Sequence, residues 1–351
     1  MRIVVTGASG NVGTAVVRAL SAEERVDAIT GIARRQPPWS VPKLRWVTTD
    51  LGDDDPDALD RVMAGADAVI HLAWLFQPAR NPLVTWQTNV LGSVRVFEAV
   101  ARNAVPALVH ASSVGAYSPG PKDRRVDESW PAHGWPEAAY TREKAYLERT
   151  LDAFEARHPD VRVVRMRPAF LFQRGSASEQ RRLFAGPLLP NALVRPGLIP
   201  VVPDLPGLRV QALHTDDAAE AYRLAVLGEA RGAFNLAADP VVDAALLAEV
   251  LDARVVRLPA WPVRAAVVAA WKLHLAPAAP ELFDAVLHLP LMDTTRARDE
   301  LGWTPRHDAA AVLAEFLSGL RDGAGLPTPP LEPEIPGGRV QELRTGAGST
   351  P

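Results

Sequence analysis

The stretch that most limits what this chain can become is RIVVTGASGNVG, residues 2 to 13. A short β-branched run ends on glycine, glycines recur at 10 and 13, and NVGTAVVRALSAEE continues with helical spacing. A strand that turns through glycines into a helix brings bare backbone and the helix's free N–H groups to one point. That arrangement suits the pyrophosphate of a dinucleotide. Its candidate contacts are Gly7, Ser9, Gly10, Asn11, Val12 and Gly13, in a GxxGxxG rather than a GxGxxG spacing. No Lys-Ser/Thr pair closes the loop, so an ATP-hydrolysing phosphate loop is set aside.

The same punctuation continues along the chain. Strand-like runs at 26–35, 44–51, 66–74, 106–114 and 161–169 alternate with helical stretches at 57–65, 87–105 and 136–158. Continuous apolar strands between helices predict an α/β fold with a parallel sheet covered on both faces. After residue 170 the alternation breaks. A helix is expected at 177–186 and another at 214–228, capped by Thr215 or Asp216, then a strand at 232–237 and a mostly helical 241–318. The expected division is a dinucleotide-binding domain over 1–168, with returning segments near 210–238. A substrate lobe over 169–320 and a loosely ordered Pro/Gly-rich tail over 321–351 complete it. A chain of 351 residues with 48% hydrophobic composition can bury such a core. Net charge −3 gives nucleic acid and acidic membranes no footing as partners. Cysteine is absent, which removes disulfide and thiolate chemistry, and no signal peptide is evident; both fit a cytoplasmic enzyme. The most apolar segment, 259–277, is short and broken by Arg264, Lys272 and His274, so it reads as a lobe helix, not a membrane span.

At the end of the second strand, where an acid would hold the ribose of NAD, the chain has Arg34 and Arg35. Guanidinium groups suit a 2′-phosphate, which favours NADP over NAD. Asp50 and Leu51 follow the third strand and fall at the adenine end, while Leu72 and Ala73 end the fourth, near the pyrophosphate. Ser112 and Ser113 end the fifth strand, and Tyr140 and Lys144 start the next long helix, four residues apart and so on one face. A phenol ordinarily titrates near 10 and is a poor base at neutral pH; a neighbouring lysine cation would favour its phenolate. Tyr140 would then exchange a proton with a carbinol while Ser113 holds the substrate oxygen.

These motifs, with HLAW at 71–74, TNVLG at 88–92, HASSVGAY at 110–117, RP at 167–168, HTDDAAEAY at 214–222 and LGWTPRH at 301–307, resemble the extended short-chain dehydrogenase/reductases, the NAD-dependent epimerase/dehydratase group, over about residues 1 to 320. The resemblance implies a Rossmann-type doubly wound parallel sheet with a smaller, mostly helical C-terminal substrate lobe. It also implies catalytic Ser113, Tyr140 and Lys144, and Asn89 supporting the site. Lys144 would also hold the ribose hydroxyls, Trp74 and Pro168 would lie near the nicotinamide, and homodimers would form through helices 89–103 and 138–156. Sugar dehydratases of the group carry Thr-Asp-Glu where this chain has Ser113-Val114-Gly115, so dehydration lacks its acid and base. A customary diphosphate-binding arginine is replaced at Val210 and Gln211, leaving Arg174, Arg181, Arg182, Arg195 and Arg209 as candidates. Trp74, Leu75, Phe76, Tyr117, Trp130 and Trp135 suggest an aromatic pocket. The substrate is accordingly a sugar nucleotide or a bulky, partly apolar alcohol or ketone.

The leading reading is an NAD(P)-dependent oxidoreductase interconverting a secondary alcohol and a ketone. A nucleotide-sugar epimerase with tightly held NAD is the alternative, and a non-catalytic dinucleotide sensor stands third. No metal site is expected: His214, Asp216 and Asp217 read as helix capping, His110 as a satisfied core histidine, and Asp127-Glu128 as loop order.

Overall fold

A computed structural model describes residues 1–341 apart from 54, 188, 192, 193, 335–337 and 340. The first half alternates as the glycine loop predicts: β1 (Arg2–Thr6), α1 (Asn11–Ser21), β2 (Ala28–Ala33), β3 (Leu44–Thr48), α2 (Pro56–Met63), β4 (Ala68–His71). A helical run follows, α3 (Pro82–Trp86), a π-turn at Gln87–Leu91 and α4 (Gly92–Arg102), then β5 (Ala107–Ala111), β6 (Arg125–Val126), α5 (Ala139–Arg157) and β7 (Arg162–Pro168). Beyond it come β8 (Phe170–Phe172), α6 (Ala177–Gln180) with a π-turn at Arg181–Ala185, β9 (Val201–Asp204), β10 (Ala212–His214), α7 (Thr215–Leu227) and β11 (Gly232–Leu236). The chain closes with α8 (Ala244–Leu251), β12 (Arg254–Arg257), α9 (Ala260–Lys272), α10 (Pro280–His288), β13 (Leu291–Met292), α11 (Thr295–Leu301) and α12 (Ala309–Asp322).

Seven strands form one sheet in the order β11-β7-β5-β4-β1-β2-β3, every pair parallel. The order reverses beside β1, and in such sheets ligands bind in the crevice beyond the strands' carboxyl ends. Central strands such as β4 and β7 are buried along their whole length because helices cover both faces. One face packs under α1 and α7, with Val16, Leu20, Tyr222 and Val226 fully buried. The other lies under α2, α4 and α5, with Met63, Phe97, Leu151 and Phe154. This is a Rossmann-type sheet with a smaller, mostly helical C-terminal region.

Three further two-stranded parallel ribbons form, of which β10-β8 and β13-β6 join the second lobe to the first and β12-β9 lies within the second. The stretch read as mostly helical also holds β12 and β13. The helix from 215 is capped by neither Thr215 nor Asp216: His214 is the cap, its Nδ1 accepting the Asp216 N–H at 3.1 Å. The segment after 320, expected to be loose, is packed through residue 332. Thr328 and Leu331 are fully buried, and Arg182 donates to the carbonyls of Pro330 (2.7 Å) and Glu332 (2.8 Å). Residues 342–351 of that expected tail lie outside the described residues. Among the described residues no helix is long and apolar enough to cross a membrane.

Candidate active site

The turn from β1 into α1 is shaped for close approach. Gly7 has φ +67°, and a Cβ there would sit 2.7 Å from Ala73 Cα, while one at Gly13 would overlap the Gly7 carbonyl oxygen. Gly10 caps α1 with no side-chain hydrogen bond, leaving the first-turn N–H groups facing a ligand site. From this cradle one cavity of about 990 Å³ runs along the sheet's carboxyl edge. Its wall carries Gly7, Ser9, Gly10, Asn11, Val12, Gly13, Arg34, Asp50, Leu51, Leu72, Ala73, Trp74, Ser112, Ser113, Tyr140, Lys144 and Pro168. The cradle, Asp50 past the β2–β3 edge and the hydroxyl-bearing far end together fit a dinucleotide.

Two of the expected site residues are off the wall. Arg35 is exposed and not part of the lining, and Arg34, which is, is exposed too. Asn89 is 1% exposed and faces away from the cavity. It sits in the π-turn, a distortion common at functional sites, and grips the backbone of Leu75: Oδ1 accepts its N–H at 2.7 Å and Nδ2 donates to its carbonyl at 2.9 Å. Nδ2 also donates to Glu143 Oε2 at 2.7 Å, and Thr85 Oγ1 donates to Glu143 Oε1 at 2.7 Å. The Glu143–Asn89 pair therefore fastens the loop bearing Trp74 and Phe76 to the helix bearing Tyr140 and Lys144.

At the reacting end, Ser113 caps a short turn, its Oγ accepting the Gly115 N–H at 2.9 Å, and its hydroxyl hydrogen-bonds the Tyr140 phenol. The phenol ring stacks on Phe76 with centroids 5.3 Å apart and meets Trp74 edge-on at 5.6 Å. Burial pushes its hydroxyl up to about 12, against the Ser113 hydrogen bond and with the Glu143 charge adding to the rise. The expectation that Lys144 holds this phenol down is not met. Lys144 Nζ donates to the Ala111 carbonyl at 2.7 Å and lies 3.5 Å from the centre of the Trp74 ring. Burial brings the ammonium itself down to about 7, opposed by the charges of Glu143 and Glu148. Desolvation outweighs the pairing that sequence spacing alone suggests.

Behind β5 lies a buried charge cluster. Glu148 accepts from Ser112 Oγ (2.5 Å), Arg167 Nε and Nη2 (2.9 and 2.8 Å) and Arg165 Nη1 (3.2 Å). Burial raises the Glu148 carboxyl, and the arginines and Ser112 more than offset it, leaving it at about 2. The sequence reading missed Glu143 and Glu148; both lie on the Tyr140 helix, but their partners are remote in the chain. His110 is a correction of another kind. Neither ring nitrogen has a hydrogen-bond partner; the ring stacks on His71 at 5.5 Å, and burial, then the Lys144 charge, hold it well below the usual imidazole range.

Of the aromatic and apolar residues expected at the pocket, Trp74, Leu75 and Phe76 line it. Tyr117, Trp130 and Trp135 do not: Tyr117 donates to Asn235 Oδ1 at 2.6 Å, Trp130 Nε1 reaches the Ser118 carbonyl at 3.3 Å, and Trp135 stacks on His288. Among the five lobe arginines only Arg181 lines the cavity. Asp217 is spent within the fold, accepting from His307 N–H and Nδ1 at 3.0 Å each, and no metal-ligand cluster occurs among the described residues.

A Rossmann-type sheet with a glycine cradle and a Ser-Tyr-Lys set on one cavity is the arrangement of the short-chain dehydrogenase/reductase kind. The chain belongs to the NAD dependent epimerase/dehydratase family, whose model matches residues 3–237. It is 28% identical over 328 residues to an uncharacterised protein of Mycobacterium tuberculosis, covering 93% of this chain but only 31% of that protein's length. It is 26% identical over 349 residues to a dTDP-glucose 4,6-dehydratase of Streptomyces niveus, covering 92% and 93% of the two chains. The UDP-glucose 4-epimerase of Thermus thermophilus in complex with NAD has the same fold: TM-score 0.66, 20% identity, covering 92% of this chain and 99% of that one. Other solved structures of this fold, an epimerase and a dehydratase among them, are also NAD complexes, which overturns the preference for NADP. Physically, both arginines behind that preference are solvated side chains, one of them off the cavity.

Proposed function

We propose that this chain is an NAD-dependent enzyme that moves a hydride at a secondary carbinol or ketone carbon, with Tyr140 as its acid and base. The observation that carries the reading is the placement of Ser113, Tyr140 and Lys144 side by side on the wall of the cavity that begins at the glycine cradle. Gly7 to Gly13 would hold the pyrophosphate, Asp50 and Leu51 the adenosine end, and Lys144 the ribose beside the nicotinamide. When bound, NAD supplies the hydride acceptor or donor. Tyr140, protonated at neutral pH by its burial, gives its proton to a ketone oxygen or takes one back from a carbinol. The Ser113 hydroxyl, whose oxygen already accepts from Gly115, has its own proton for that oxygen as charge develops there. Trp74 and Phe76 exclude water from the proton path.

Between net oxidoreduction and epimerisation of a nucleotide sugar with retained NAD, the names of the similar proteins back epimerisation better. Ser113-Val114-Gly115 still argues against dehydration. The sensor reading rests third, since a sensor has no use for a buried proton donor. We assign the cofactor to 1–168 with 210–238 and the substrate mainly to 169–320. We further propose cytoplasmic residence, suited to a cysteine-free chain, and a dimer through the helical run 89–103 and α5, where Leu91 and Tyr146 are 44% and 41% exposed. Sedimentation would test the dimer.

The deciding experiment is to purify the protein without added cofactor, denature it and identify any released dinucleotide by mass spectrometry. Near-stoichiometric NAD supports epimerisation. An empty protein that binds NADH supports an enzyme exchanging cofactor at each turnover. One that binds no dinucleotide refutes the assignment.

A further inference from the structure

Past Tyr140 the cavity continues into the second lobe, and there its wall changes character. Phe184 meets Phe76 edge-on at 5.7 Å, and Val267, Phe283, Leu289 and Phe316 continue the surface. α9 contributes only aliphatic side chains to this wall, Val263, Ala266, Val267 and Ala270, and no residue of that helix is fully buried.

A nucleotide diphosphate buried here would bring two negative charges that need several charged or N–H donors. Among the described residues, the charged side chains on the lobe's part of the wall are Arg181 and Glu179. Arg181 is 6% exposed and its Nη1 is spent on the Gly186 carbonyl at 3.0 Å. Glu179 brings no positive charge; burial pushes its carboxyl up to about 7, against the pull of the Arg182 charge. Of the other lobe arginines, Arg174 is held on Asp322 at 2.9 Å, Arg182 on the carbonyls after α12 and Arg209 on the Lys122 carbonyl, while Arg195 is exposed and off the cavity wall. Val210 and Gln211 add no cation, and Gln211 is tied to Met292 through both its amide atoms.

We propose that the alcohol or ketone taken by this site is carried on a bulky, uncharged hydrocarbon body, alicyclic or isoprenoid in kind, and not on a diphosphate. The proposal rests on the hydride-transfer reading of Tyr140 and departs from its nucleotide-sugar form. The carbonyl sits at Ser113 and Tyr140 while the body fills the chamber between Phe184 and α9.

The test uses the full chain with saturating NADH and the probes cyclohexanone, decalone, a steroid ketone and UDP-glucose. Binding is followed by titration calorimetry and hydride transfer by the absorbance of the reduced nicotinamide. Affinity for the ketones is expected to rise about fourfold per buried methylene, with no heat from UDP-glucose. Val267→Asp, on a face that bears no core packing, flattens that rise, and Val267→Leu keeps it. Tighter binding of UDP-glucose than of the largest ketone overturns the proposal, as does an affinity that ignores ketone size. Ketones that bind by size without any hydride transfer leave the chamber's assignment standing and overturn the catalytic reading instead.

Discussion

Tyr140 stands in the structure as a phenol, not a phenolate, and that fixes what its replacement should do. Tyr140→Phe keeps the ring stacked on Phe76 and loses only the hydroxyl that carries the proton, so hydride transfer should fall by about 10²–10⁴ while NAD still binds. Stopped-flow turnover beside calorimetric NAD titration checks both halves; full retention of activity would remove Tyr140 from the chemistry. Glu143 acts at one remove. Glu143→Ala leaves one N–H of the buried Asn89 amide without its acceptor, at about 1–3 kcal/mol, while the Thr85 hydroxyl keeps the Pro82 carbonyl at 3.1 Å. It also frees the Leu75 loop, so thermal denaturation should show a lower Tm and steady-state kinetics a lower kcat with a higher KM. Ser113, Tyr140 and Lys144 were legible in the sequence because two of them are four residues apart and the third ends a strand. Glu143 was not, because its meaning lies in partners more than fifty residues away. The direction of the Tyr140 shift was also hidden: spacing reports that a lysine is near, not that Phe76 and Trp74 desolvate the ring.

Among the elements, the seven-stranded sheet was readable from unbroken apolar runs, since strands buried on both faces need no polar alternation. The ribbons of the second lobe were not, because β6, β8, β10 and β13 are two or three residues long, too short for any period to register. The two π-turns were equally invisible, yet one places Asn89 and the other places Arg181 and Phe184. The cap of α7 went to His214 because an imidazole nitrogen can accept an N–H as a carboxylate does. At the N-terminus of α1 the glycines make a sharper statement. Gly13→Ala puts a methyl on the Gly7 carbonyl and should abolish NAD binding, with far-UV circular dichroism little changed. NAD affinity equal to that of the parent protein would show that the cradle does not hold the pyrophosphate.

For the molecule as a whole, the Glu148 cluster ties β5, α5 and β7 together and should set its acid limit. A carboxyl held at about 2 when folded, against an ordinary 4.5, contributes stability that is fully present above pH about 4.5 and drains as the pH falls toward 2. Glu148→Gln strips Arg165 and Arg167 of their shared carboxylate, so it should cost about 3–5 kcal/mol at neutral pH and flatten the pH dependence in that window. Urea unfolding of both proteins across the acid range measures it; parallel curves would show that the cluster is energetically neutral. The ribbons carry a different consequence, one of timing. The large sheet has its last strand once Leu236 has been made, whereas Arg125 must wait for Leu291 before its ribbon can form. A growing chain therefore gains its cofactor cradle and proton donor well before the chamber that decides what they act upon.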